Sequence, residues 1–134
     1  MATILIIDDE KAILGFLKER LMDEGFNVLT ASDGKEGMNL FNDNQVDLVI
    51  TDIIMPDKDG FGTIIDLKRI CPDIKIIAMS GGGRGQPEYY LDTAKCFKAE
   101  YTFEKPFKTS ELVEAVNKLL KKEKVPECFG NSAL

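Results

Sequence analysis

The sequence contains no histidine and no tryptophan, and only three cysteines among its 134 residues. Without histidine there is no imidazole base, no imidazole metal ligand and no phosphohistidine intermediate on this chain. Chemistry must therefore run on carboxylates, hydroxyls, lysines or thiols. Cys71, Cys96 and Cys128 are odd in number and widely spaced, with no Cys-x-x-Cys pair, which predicts free thiols in a reducing compartment over a disulfide framework. No apolar run approaches the roughly 20 residues of a spanning helix. Met1 to Ile7 is too short for the apolar core of a secretory signal and leads straight into acids. A cytoplasmic, unprocessed protein without membrane insertion is the expectation.

Positive charge is also in deficit. Seventeen basic against 23 acidic side chains give a net charge of −6, and the isoelectric point is near 4.7. Binding to phosphate backbones or anionic membranes rests on clustered Lys and Arg, so direct nucleic acid binding is not expected. With 44% hydrophobic and 30% charged residues, the composition is that of an ordinary globule. A chain of this length forms one domain that needs no staples.

Short apolar runs alternate with segments of helical period. Ile4-Leu5-Ile6-Ile7 reads as a strand buried on both faces. Ile13, Phe16, Leu17 and Leu21 follow at helical spacing, ended by Gly25. Phe26 to Thr30 reads as the second strand, Gly34 to Asn42 as the second helix and Asp47 to Thr51 as the third strand. After the loop Met55 to Gly60, a helix carrying Ile64, Ile65 and Leu67 stops before Cys71-Pro72. Ile74 to Met79 is the fourth strand, followed by the glycine-rich loop Ser80 to Gln86 and a fourth helix from Pro87 to about Phe97. Tyr101 to Glu104 is the fifth strand, and Ser110 to Lys122 is amphipathic through Leu112, Val113, Val116, Leu119 and Leu120. Five βα repeats predict an α/β fold, a doubly wound five-stranded parallel sheet with five helices on its two faces. Residues 1–124 form the expected domain, and Val125 to Leu134 a disordered tail.

In open sheets of this kind ligands bind beyond the carboxyl ends of the strands. There the chain places Asp8-Asp9-Glu10, Asp52, Ser80 and Lys105-Pro106 after strands one, three, four and five. Singly, each has a bland reading: helix cap, turn residue, loop hydroxyl or solvated lysine. Ala31-Ser32-Asp33, after strand two, reads as a cap. Jointly, three converging carboxylates repel one another unless a cation joins them or one takes up a proton. The ligand set is all oxygen, which favours Mg²⁺, with Mn²⁺ next, over zinc or copper. A phosphoryl group is the matching guest, with Lys105 on one oxygen, the Ser80 hydroxyl on another and the metal on a third.

These residues resemble a known family, the receiver domains of two-component response regulators. The resemblance covers residues 2–122 and rests on Ile6-Ile7-Asp8-Asp9-Glu10, on Leu48 to Pro56 with Asp59-Gly60, on Ala78-Met79-Ser80-Gly81 and on Glu104-Lys105-Pro106-Phe107, in that order. It implies the strand order 2-1-3-4-5, which is attributed to a member of this family as a known example. It further implies that Asp52 is the phosphoacceptor, that Asp9 binds Mg²⁺ directly, that Asp8 helps through water, that the Ile54 carbonyl completes the ligands, and that the Lys105-Pro106 bond is cis. The implied partners are a sensor histidine kinase or a histidine phosphotransfer protein, and a downstream protein target contacted through a switching face. The implied protein catalyses only its own phosphorylation and dephosphorylation and is not otherwise an enzyme.

Two positions depart from the family's pattern. Its switch aromatic lies three residues before the lysine, where this chain has Thr102. Side chains alternate along a strand, so neither Tyr101 nor Phe103 can take its place on the same face. Signalling is then expected to pass from Ser80 through the loop Gly81 to Gly85 and the fourth helix, with Tyr89, Tyr90, Lys95, Lys98 and Tyr101 as candidates for an interaction face. Ile54 and Gly82 cannot orient an attacking water, which implies slow autodephosphorylation. Rival readings are a receiver excised from a larger regulator and, from another class, a Mg²⁺-dependent phosphohydrolase with an aspartate nucleophile. The latter would carry Asp-x-Asp after strand one, where this chain has adjacent acids, and would turn over a metabolite phosphate. A flavodoxin-type carrier would need a Ser/Thr/Gly phosphate loop at the same place.

Overall fold

Ile4, Leu5, Ile6 and Ile7 have no exposed surface. Alternate side chains of a strand point to opposite faces, so both faces of this strand are covered. The computed structural model describes residues 1–53, 60–80 and 99–122, and among them five strands form one sheet. They are β1 (Thr3–Ile7), β2 (Asn27–Ala31), β3 (Leu48–Asp52), β4 (Lys75–Ser80) and β5 (Tyr101–Glu104). All neighbours are parallel, in the order β2-β1-β3-β4-β5, as the resemblance implies. The described helices are α1 (Lys11–Asp23), α2 (Gly34–Asp43), α3 (Gly60–Ile70) and α4 (Thr109–Lys122). The expected helix from Pro87 to Phe97, the loop Gly81 to Gly85 and the tail from Val125 lie outside the described residues, as do Ile54, Tyr89, Tyr90, Lys95 and Lys98.

The core divides at the sheet. Leu5, Ile7, Val49, Ile76 and Ala78 pack with Phe41 of α2 and Ile64 and Leu67 of α3. Ile4, Ile6, Leu48, Ile50, Ile77 and Met79 pack on the other face with Leu14, Leu17 and Leu21 of α1 and Leu112, Val113 and Val116 of α4. The sheet is therefore doubly wound. Among the described residues no helix is long and apolar enough to cross a membrane.

Local chemistry sets the element ends that aim the site. At the end of α1 the amide of Gly25 donates to Met22 O at 3.0 Å and that of Phe26 to Leu21 O at 3.2 Å, a Schellman closure with Gly25 at φ 97°. Asp33 caps α2 by accepting from the Glu36 amide at 2.7 Å, while Glu36 Oε1 accepts from the Ser32 amide at 2.7 Å. The residues after β2 are thus capping residues, as their sequence suggests. A Cβ on Gly37 would stand 2.8 Å from Ile7 Cγ1, so glycine there lets α2 lie close on β1. Asp47 Oδ2 accepts from the Thr3 amide at 2.8 Å, and the Asp47 amide donates to Thr3 O at 2.9 Å, which pins the entry of β3 to that of β1.

The cysteines require a correction. Cys71, at the end of α3, is fully buried and disulfide-bonded, with its partner outside the described residues. The expectation of free thiols rested on wide spacing along the chain, which does not measure separation once each βα unit returns the chain to the same end of the sheet.

Candidate functional site

The carboxyl edge of the sheet is built one hydrogen-bonded rung at a time. The Asp8 amide donates to Ala31 O at 3.0 Å, which places Asp8 just beyond the last β1–β2 pair. Asp52 ends β3 opposite Met79, and Ser80 ends β4 opposite Glu104. The Lys105 amide donates to Ser80 O at 2.6 Å, carrying the lysine one rung past β5, and its bond to Pro106 is cis, as the resemblance implies. Asp8 and Ser80 are fully buried and Asp52 nearly so.

Lys105 Nζ donates to Asp8 Oδ2 at 2.8 Å, to Glu10 Oε1 at 2.9 Å and to Asp52 Oδ2 at 3.4 Å. Carboxylate oxygens of Asp8, Glu10 and Asp52 lie within 4.8 Å of one another. The sequence-based set was Asp8, Asp9 and Asp52. The structure brings Glu10 into the group and leaves Asp9 exposed beside it. Glu10 reads in sequence as an acid at a helix start and gives no signal of reaching across to another strand. The one hint is its place in the run Asp8-Asp9-Glu10.

Burial pushes the Asp8 carboxyl above its ordinary range, although Lys105 and the Glu10 amide favour its charged form. Burial acts to lower the Lys105 pKa, but the hydrogen bonds to Asp8 and Glu10 and the charge of Asp52 outweigh it and hold the ammonium above its usual value. Asp8 is an acid with a raised folded pKa. Its protonated form favours the fold at low pH, and that contribution is lost as pH rises from its unfolded value, about 3.9, through the folded value. Charges within 4.8 Å of one another repel by about 1 kcal/mol even in water-like surroundings. Without metal at pH 7, Asp8→Asn should therefore raise the melting temperature by about 3 to 5 °C. The gain should shrink as pH falls through the raised folded pKa, where wild-type Asp8 protonates. Thermal melts in chelator across pH check this, and a lower melting temperature for the variant would contradict it.

Ser80 Oγ is buried and, among the described residues, is the buried side-chain polar atom without a hydrogen-bond partner. Such a group costs about 1–3 kcal/mol, so this hydroxyl points to an acceptor oxygen supplied from outside the chain. The same site holds an all-oxygen carboxylate group suited to a hard divalent cation. These residues fit Mg²⁺ together with a phosphoryl group.

Thr102 lies opposite Ala78 in the β4–β5 register and is half-buried. Tyr101 and Phe103 pack on the other face, in the cluster of Ile77 and Met79, and the ring of Phe103 sits 5.4 Å from that of Phe107. Neither neighbour shares the face of Thr102.

Known proteins are similar to this chain in sequence and fold. The family model of the response regulator receiver domain matches residues 4–117. The DNA-binding transcriptional regulator NtrC of Azospirillum brasilense is 37% identical over 135 residues, covering 98% of this chain and 27% of that protein. A response regulator receiver domain protein from Clostridium thermocellum superposes with a TM-score of 0.83 at 34% identity, covering 91% of this chain and 96% of that one. The response regulator protein TrrA of Thermotoga maritima, described in complex with Mg²⁺-BeF, superposes with a TM-score of 0.79 at 35% identity, covering 90% of this chain and 100% of that one. The chain spans from 27% to 53% of the length of the curated relatives it matches. A matched family model, a shared sheet order and an acidic group at the strand ends agree, and the chain belongs to the response regulator receiver domain family.

Proposed function

We propose that Asp52 accepts a phosphoryl group, with residues 1–124 as the working unit. The observation that carries this reading is the placing of the Lys105 ammonium 3.4 Å from Asp52 Oδ2, at the strand edge where the Ser80 hydroxyl lacks a partner. An Asp52 oxygen attacks phosphorus in line with the leaving group. With a phosphohistidine donor the P–N bond breaks, and its electron pair stays on the imidazole nitrogen, which takes a proton from solvent. Such transfers depend on positioning and on neutralising the phosphoryl oxygens, and need no strong base. Lys105 meets one oxygen with its charge, and Ser80 donates its hydroxyl proton to another.

Asp8, Asp9 and Asp52, with the carbonyl of Ile54, would hold Mg²⁺, which supplies neutralising charge for the phosphoryl oxygens when bound. The Mg²⁺-BeF complex of the relative TrrA supports this choice. Because the chain has no histidine, the phosphohistidine belongs to a sensor histidine kinase or a phosphotransfer protein. The reaction is the protein's own phosphorylation and dephosphorylation, in the cytoplasm, and its output is contact with a downstream protein. Thr102 in place of an aromatic supports an output route from Ser80 through residues 81–97. The much greater length of the curated relatives favours a second reading, in which this receiver is one piece of a larger regulator whose other part carries the output.

Incubation with acetyl phosphate in Mg²⁺ should add one phosphoryl group to the intact mass. Excess chelator should slow uptake about a hundredfold or more, the scale of losing one preorganised charge stabiliser. Equal uptake with and without divalent metal would contradict the metal assignment.

A further inference from the structure

Glu10 occupies the N-cap of α1, where its carbonyl accepts from the amides of Ile13 and Leu14 at 3.1 Å each. Its side chain makes no capping hydrogen bond, a role that falls to the shorter Ser, Thr, Asp and Asn at that position. It instead reaches across the site to Lys105 Nζ at 2.9 Å, while its amide donates to Asp8 Oδ1 at 2.8 Å. A lysine ammonium has three N–H donors, and here Asp8, Glu10 and Asp52 engage all three. A phosphoryl oxygen can therefore be bound by Lys105 only if one carboxylate lets go.

The three are not equivalent. Asp8 is fully buried and tied by the Glu10 amide, so moving it would strand a buried charge. Asp52 is the proposed phosphoacceptor and is nearly buried. The Glu10 side chain is 54% exposed and can swing into water at small cost. We propose that Glu10 is a positioning residue that clamps Lys105 in the resting site, yields it when the phosphoryl group arrives, and places a negative charge at the mouth that discriminates against small anionic phosphodonors. A protein donor that presents a basic side chain beside its phosphohistidine would offset that charge, whereas a free acyl phosphate cannot. This inference rests on the phosphoacceptor reading of Asp52.

The test compares wild type with Glu10→Gln, of equal size and no charge. Initial rates of phosphoryl uptake are followed by intact mass over a range of acetyl phosphate concentrations at saturating Mg²⁺. Uptake at low donor should rise about three- to tenfold in the variant, the effect of one charge several ångströms from an incoming anion. The gain should lie in the half-saturating donor concentration, should leave the Mg²⁺ half-saturation unchanged, and should shrink as salt rises. An unchanged or lower rate in Glu10→Gln would overturn the proposal, and a raised Mg²⁺ half-saturation would also do so by making Glu10 a metal ligand. A second measurement needs no phosphorylation. The Nζ resonance of Lys105 in ¹⁵N-labelled protein should shift in Glu10→Gln, and an unmoved resonance denies the clamp. Absence of uptake by wild type with a shifted resonance would overturn the phosphoacceptor reading, and the gating role with it, while leaving the ion pair.

Discussion

Asp52→Asn is expected to lower phosphoryl uptake from acetyl phosphate by about a thousandfold or more, since it removes the anionic nucleophile that a covalent intermediate requires. The substitution keeps the shape of a nearly buried side chain and removes one of three neighbouring negative charges. The variant should therefore fold at least as well as wild type without metal, and the loss should not trace to unfolding. Intact mass after incubation with donor and Mg²⁺ measures the uptake, and a thermal melt of the same sample controls for folding. Uptake by the variant at the wild-type rate would mean that another carboxylate, Asp8 or Glu10 being the neighbours in space, accepts the group.

The second large effect is expected at Lys105. Its ammonium is the cation that the structure sets among Asp8, Glu10 and Asp52, so Lys105→Met should slow uptake about a hundredfold to a thousandfold, as for removal of a preorganised charge from a transferring group. It should also destabilise the metal-free protein by about 3 kcal/mol, because Asp8 stays buried without its partner. Lowering the pH should recover part of that stability by protonating Asp8, whose carboxyl is already pushed up by burial. Lys105→Arg should not restore the rate, since a planar guanidinium cannot direct three donors to the sites a compact ammonium reaches. Denaturant titrations and rates of uptake check both effects, and a Lys105→Met protein of wild-type rate and stability would contradict them.

Much of this site is legible in the sequence. Continuous apolar runs such as Ile4 to Ile7 mark strands covered on both faces, and once they alternate with helical segments the strand ends must share one edge. That logic brings Asp8, Asp52, Ser80 and Lys105 together without knowledge of any distance. Gly25 as the stop of α1 and Asp33 as the cap of α2 were legible for the same reason, because a left-handed position and an orphan amide each call for a particular residue type.

Side-chain reach was not legible. Glu10 joins the site because its side chain turns away from its own helix toward Lys105, a choice among rotamers that only the assembled neighbours decide. The exposure of Asp9 and the burial of Asp8 were likewise invisible, since adjacent acids look alike until the last rung of the sheet sets which one faces inward. The disulfide at Cys71 escaped the reading because sequence separation was taken for distance.

A phosphoryl group borne by one side chain, Asp52, is the centre of the proposed chemistry. Its most direct test is to phosphorylate the wild-type chain with acetyl phosphate and Mg²⁺, reduce the acyl phosphate with borohydride, and map the converted residue by peptide mass spectrometry. Conversion of Asp52 to homoserine, absent from protein treated without donor, is the expected result. Conversion at a different residue, or none in protein that remains folded, would contradict the account.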